Sequence, residues 1–223
     1  MRDRTSRRLT FVAGYAAYFA ALWLLWPTPV IYPLKIFVVF LHELSHGLMA
    51  LATGGQIEAI SLDWREGGET LSRGGSPFLT LSAGYLGSLA WGLLLVALGR
   101  GRTVVARATL IGLGALMLGV TALFVRSAFG LVFGLAFGAA LLVASRWLPA
   151  AATRLAVTAL GLTSALYALL DIRSDILQRP GEVSDALMLA QLTGVPALVW
   201  GVLWGAVGVA ACAAMLHRLY LRI

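Results

Sequence analysis

Apolar residues fill most of this chain in long runs, and short polar breaks separate them. The runs lie at about 11–26, 30–52, 77–98, 104–125, 127–147, 151–170 and 186–216. Crossing the hydrocarbon core takes roughly 20 apolar residues, so each run is long enough to span. The first run ends in Trp26-Pro27-Thr28-Pro29 with no small-residue cleavage site, and reads as an uncleaved span with an interfacial end. Gly194 and Pro196 interrupt the last run near its start. The pattern predicts an all-α polytopic membrane protein of about 6–7 transmembrane helices, with 1–223 forming one membrane-embedded domain.

One polar stretch breaks the rhythm. Between about 55 and 76, Ile60, Leu62 and Trp64 alternate with Ser61, Asp63 and Arg65, and Gly67-Gly68 offers a turn. Period-two alternation beside a glycine turn predicts a small β-hairpin after the second helix. Gly130, Gly134 and Gly138 recur every four residues in the fifth helix, a stripe suited to helix packing.

Composition narrows the reading. The chain is 60% hydrophobic and 12% charged, with a mean hydropathy of +0.87. The net charge of +7 suits anionic lipid headgroups. No basic patch with interleaved aromatics is present, so nucleic acid is set aside as a partner. Cys212 is the only cysteine, which excludes an internal disulfide and a cysteine-based metal site. With the N-terminus in the cytoplasm and seven alternating crossings, Arg2, Arg4, Arg7, Arg8, Arg65, Arg73, Arg126, Arg173 and Arg179 fall on one side. Lys35 and the other seven arginines fall on the other. Nine against eight is a slight bias toward a cytoplasmic active face.

The chemistry concentrates in the second helix, at about 30–53. There His42-Glu43-Leu44-Ser45-His46 interrupts otherwise apolar sequence. Residues four apart share one helix face, so His42 and His46 would offer two imidazoles to one metal ion, with Glu43 beside them. In this spacing the glutamate serves as general base on metal-activated water. A charged group at mid-bilayer costs roughly 2.5 to 3.5 kcal/mol, so such groups usually face the bundle interior and carry function.

A catalytic zinc site takes three protein ligands. Counting crossings brings the chain back to the motif side after the sixth helix, so the third ligand is expected in the region of about 171–186. Asp185 follows Ser184, a candidate N-cap, and is the first choice. Asp171, which continues an apolar run, is the second choice, and Asp175 follows.

The chain resembles the site-2 protease family of intramembrane zinc metallopeptidases, in particular its compact bacterial branch. The likeness rests on the H-E-x-x-H motif in an early helix, the glycine-rich hairpin region behind it, and a later aspartate entering a helix. Gly84-Tyr85-Leu86-Gly87-Ser88 matches the family's Gly-Pro-x-x-Asn only in part, and Ser184-Asp185-Ala186 stands nearest to its late Asn-Pro-x-Pro-x-Leu-Asp-Gly segment. Over about 30–205 the resemblance implies three core helices, bound zinc, a multi-pass place in a bacterial cell membrane, and cleavage of membrane-embedded or membrane-proximal substrates. A helical substrate must unwind to expose its amides, and the hairpin could pair with it along an open edge. The alternative is an inactive relative serving as a metal-binding scaffold or regulator. Glu43 favours hydrolysis, since a scaffold needs only the two histidines.

Overall fold

The computed structural model describes residues 4–26, 28–173 and 184–221. Its elements are α1 (Arg4–Leu25), α2 (Tyr32–Ala52), β1 (Gln56–Leu62), β2 (Gly68–Arg73), α3 (Pro77–Gly99), α4 (Thr103–Phe124), α5 (Ala128–Trp147), α6 (Ala150–Arg173), α7 (Asp185–Thr193) and α8 (Ala197–Leu221). Among the described residues seven helices are long and apolar enough to cross a membrane, and α7 is the short exception. The protein is an all-α polytopic membrane protein carrying one small antiparallel hairpin.

The core is built around α2. Ile36, Phe37, Val38, Phe40, Leu41 and Leu44 are exposed by 1% or less. Consecutive residues point in all directions around a helix, so this stretch of α2 is buried on every side, as an all-round apolar run demands, and only past the His42–His46 segment do Leu48 and Leu51 come to the surface. Gly54, at φ +86°, ends it. The Thr53 hydroxyl then accepts the Ser76 N–H at 2.9 Å, which ties the end of α2 to the start of α3.

Small residues let the core helices approach. Gly87 of α3 meets Ser45 of α2, and Gly92 of α3 lies against the backbone of α6 at Gly161 and Ala165. The Ser164 hydroxyl donates to the Ser88 carbonyl at 2.7 Å across that second contact. The glycine stripe of α5 faces α4, where Gly134 meets Thr121 and Gly138 meets Leu118 and the Gly114 carbonyl.

The hairpin follows α2 directly. Its alternation holds as far as Leu62: Ile60 and Leu62 are 1% and 2% exposed, while Trp64, past the end of β1, is 64% exposed. β1 and β2 pair from Gln56–Arg73 to Leu62–Gly68, with a bulge between Ile57 and Ala59. Instead of projecting from the bundle, the hairpin runs back along α2. Ile57 packs on Gly47, Tyr32 donates its hydroxyl to the Trp64 carbonyl at 2.8 Å, and the Lys35 ammonium meets Glu66 at 3.0 Å.

Several boundaries differ from the sequence pattern. α1 begins at Arg4, ahead of the run expected from about residue 11, so Arg4 and Arg8 are helical. α6 runs on to Arg173, which puts Asp171 in its last turn. The expected seventh helix is two: Gly194 adopts the left-handed conformation at φ +75° and closes α7, and α8 starts after Pro196. The alternation of crossings also fails at the start. Arg100 donates to the Tyr15 hydroxyl at 3.3 Å and lies over Phe11, so α1 begins beside the α3–α4 turn. Arg4 and Arg8 therefore share an end with Arg100 and Arg102, which removes the near-even split of cations. The cause is α1 running in the same sense as α2, which a strict alternation does not allow. Asp175 and Arg179 lie outside the described residues.

Candidate metal centre

α2 sets the two imidazoles one turn apart. Their ring centroids are 4.8 Å from each other, and the ligand atoms of His42, Glu43 and His46 all lie within 4.8 Å of one another. His46 and Glu43 are buried, with 7% and 5% exposure. The start of α7 supplies a third group. Ser184 accepts the Leu187 N–H at 3.3 Å as N-cap, which fixes Asp185 in the first turn of α7. Asp185 Oδ2 stands 3.1 Å from His42 Nε2 and 3.2 Å from His46 Nε2. Asp171, half-buried in the last turn of α6, acts electrostatically on His42.

The surroundings orient these groups. His46 Nδ1 is 2.7 Å from the Thr80 carbonyl. A carbonyl only accepts, so Nδ1 carries a proton and donates it. A neutral His46 then turns the Nε2 lone pair toward the Asp185 carboxylate. Two acceptors 3.2 Å apart repel unless a cation lies between them. Tyr85, 2% exposed, stands edge-on to His42 with centroids 5.2 Å apart, and Trp204 backs it at 5.0 Å.

Gly84 leaves the room. A methyl at Gly84 would strike both His42 Nε2 and Asp185 Oδ2, so only glycine fits where these donors converge. Two donors about 2.0 Å from a tetrahedral zinc lie about 3.3 Å apart, close to the spacings found here. Two neutral imidazoles and a carboxylate are also the donor set zinc accepts. The residues present fit the ion.

On the other side of Glu43 lies the hairpin. Thr70 Oγ1 is 2.8 Å from Glu43 Oε2 and 2.9 Å from the Glu43 carbonyl. Gly68 packs so closely that a Cβ there would come within 2.6 Å of Glu43 Oε1. β2 therefore holds the carboxylate by a hydroxyl on one oxygen and a bare Cα against the other.

The profile of the peptidase M50B-like family matches residues 15–215. The chain belongs to that family. It is thereby a member of the site-2 protease group, whose other members are zinc metalloproteases. No curated protein and no solved structure matches this M50B-like chain. Within the M50B-like match the structure brings together His42, Glu43, His46 and Asp185, and leaves Asp171 beside them. Tyr85 lies in the segment that matches the family's Gly-Pro-x-x-Asn in part, whereas Thr70 and Thr80 belong to no motif. Thr80 acts through its backbone, and Thr70 reaches Glu43 across 27 positions of sequence, so neither left a sequence signal.

Proposed function

We propose that this protein is an intramembrane zinc endopeptidase, with His42, His46 and Asp185 as metal ligands and Glu43 as the general base. The convergence of Asp185 Oδ2 on both imidazoles at 3.1 and 3.2 Å carries this reading. Zinc held there supplies a Lewis acid that lowers the pKa of water to about 7. Glu43 takes the proton of the attacking water and passes it to the leaving amine. The Thr70 hydroxyl keeps the Glu43 carboxylate turned in place, and the Thr80 carbonyl fixes the His46 ring by holding its Nδ1 proton.

An extended substrate is read along β2. The outer edge of β1 is taken: the Arg126 N–H donates to the Ile60 carbonyl at 3.0 Å, and the Ser127 hydroxyl bonds both the N–H and the carbonyl of Leu62. Ile60 and Leu62 therefore turn their backbone groups away from β2. In an antiparallel pair the residues opposite them do likewise. Those residues are Thr70 and Gly68. Their N–H and carbonyl groups face the outer edge of β2, where no backbone partner occurs among the described residues. They are also the two residues that touch Glu43. A substrate strand added there would lie beside the base.

The test uses the purified full chain in lipid nanodiscs, loaded with zinc, and a single-span peptide with a Gly-Pro break followed by mass spectrometry. Glu43→Gln should keep one zinc per chain and lose at least about a hundredfold in cleavage, the scale of a lost general base. Equal cleavage by the variant, or no cleavage by the parent with zinc bound, would replace the enzyme with a metal-binding scaffold.

A further inference from the structure

At the end of the bundle away from His42, three segments leave a gap. The first half of α1, the α3–α4 turn and the start of α6 line a cleft of about 480 Å³. Arg100 and Arg154 stand at its rim, and Tyr15, Leu155, Ala159 and Leu162 line its walls. From Arg154 to Leu162 the wall climbs two turns of α6, about 12 Å into the bilayer. The cleft thus has a cationic mouth at helix-end level and an apolar shaft.

Charge at this end is unbalanced. The described acidic residues are Glu43, Glu58, Asp63, Glu66, Glu69, Asp171 and Asp185, and all belong to α2, the hairpin, the end of α6 or the start of α7. Among the described residues the ion pairs involve Lys35, Arg73 and the two histidines, and neither Arg100 nor Arg154 meets a described carboxylate. Arg100 is already aimed by Tyr15 and Phe11. α4 and α6 begin here too, with no acidic residue in either first turn to neutralise the positive helix ends. Nearby, Arg8 lies 4.7 Å over Tyr220 with its buried Nε unpartnered. The shaft also separates α1 from α6, and Tyr18 bridges the two through the Ala159 carbonyl at 2.9 Å and Thr163 at 2.7 Å.

We propose that this cleft binds an anionic phospholipid, its phosphate between Arg100 and Arg154 and one acyl chain along the wall of α6. A basic pocket between membrane helices is the expected seat of such a headgroup. A free anion would use the rim but leave the shaft empty. The lipid fills both and seats α1 on the bundle. This site stands apart from the metal centre and does not depend on the peptidase reading.

The experiment is native mass spectrometry of the delipidated full chain with phosphatidylglycerol or phosphatidylcholine of identical acyl chains. Two arginines near the headgroup should give a roughly tenfold or greater preference for phosphatidylglycerol. Arg100→Gln with Arg154→Gln should abolish the preference. Gly14 lines the shaft and a Cβ there meets nothing within 4 Å, so Gly14→Leu should fill the path and lose the lipid with both arginines intact. Zinc content and helicity should stay at parental values in both. Excess inorganic phosphate should not displace the lipid. Equal retention of the two lipids, retention by Gly14→Leu, or displacement by phosphate would each overturn the proposal.

Discussion

At the residue scale, the site divides into what spacing dictates and what folding dictates. The two imidazoles were legible because a four-residue step on a helix is a local fact, independent of the rest of the fold. Asp185 comes from 143 positions beyond His42, and only the order of crossings and an N-cap pointed to its neighbourhood. Of the three aspartates considered for the third ligand, Asp175 lies outside the described residues, Asp185 faces both Nε2 atoms, and Asp171 lies in the last turn of α6. Asp185→Ala should therefore lower zinc affinity by more than tenfold in competition with a chelating dye, and Asp171→Asn should change it far less. A larger loss from Asp171→Asn would exchange their roles. Thr70 was invisible beforehand, because a hydroxyl in a hairpin has many ordinary uses. Its two contacts with Glu43 predict that Thr70→Val keeps full zinc content and lowers kcat by about tenfold with little change in KM, the loss of a bond to a charged group. Thr70→Ser keeps the hydroxyl and should recover most of the rate. A Thr70→Val enzyme with parental kcat would show that Glu43 needs no such support.

At the element scale, the hairpin is the part whose existence the sequence indicated and whose placement it did not. Alternation of Ile60 and Leu62 with polar neighbours announced strands. Nothing local announced that they would fold back along α2, because the bonds that hold them there are long-range. Lys35 explains much of it. A buried ammonium within a spanning helix is costly unless paired, and Glu66 at 3.0 Å with the Trp26 ring at 4.8 Å supplies the partners. That pair pins one end of the hairpin, and the Thr53–Ser76 bond ties the segment at the other. With both ends held and β1 closed by the α4–α5 turn, only β2 offers a free edge. A photo-crosslinking residue at Glu69 or Leu71 should then capture the single-span peptide, and one at Arg126, beside β1, should not. Capture from Arg126 alone would place the substrate on the wrong strand for this reading.

At the scale of the whole molecule, the count and lengths of the helices followed from hydropathy, but the sense of α1 did not. Alternating crossings assumed that each short connection reverses direction, and the contacts of Phe11 and Tyr15 with Arg100 show that α1 starts beside the α3–α4 turn. The consequence is a polarised molecule. Arg4, Arg8, Arg100, Arg102, Arg107, Arg146, Arg154 and Arg218 gather at the end where α1 starts and α8 finishes, while the described acidic residues lie in α2, the hairpin, the end of α6 and the start of α7. Positive charge in short loops and near span ends is retained on the cytoplasmic side. That rule now orients the protein with the arginine-rich end inside and the start of α7 outside, the reverse of the slight bias drawn from sequence alone. In intact cells, with Cys212→Ser as background, a membrane-impermeant maleimide should label Gln191→Cys on α7. It should reach Gly101→Cys in the α3–α4 turn only after the membrane is opened. Labelling of Gly101→Cys in intact cells would invert the orientation and, with it, the side from which water and substrate reach Glu43.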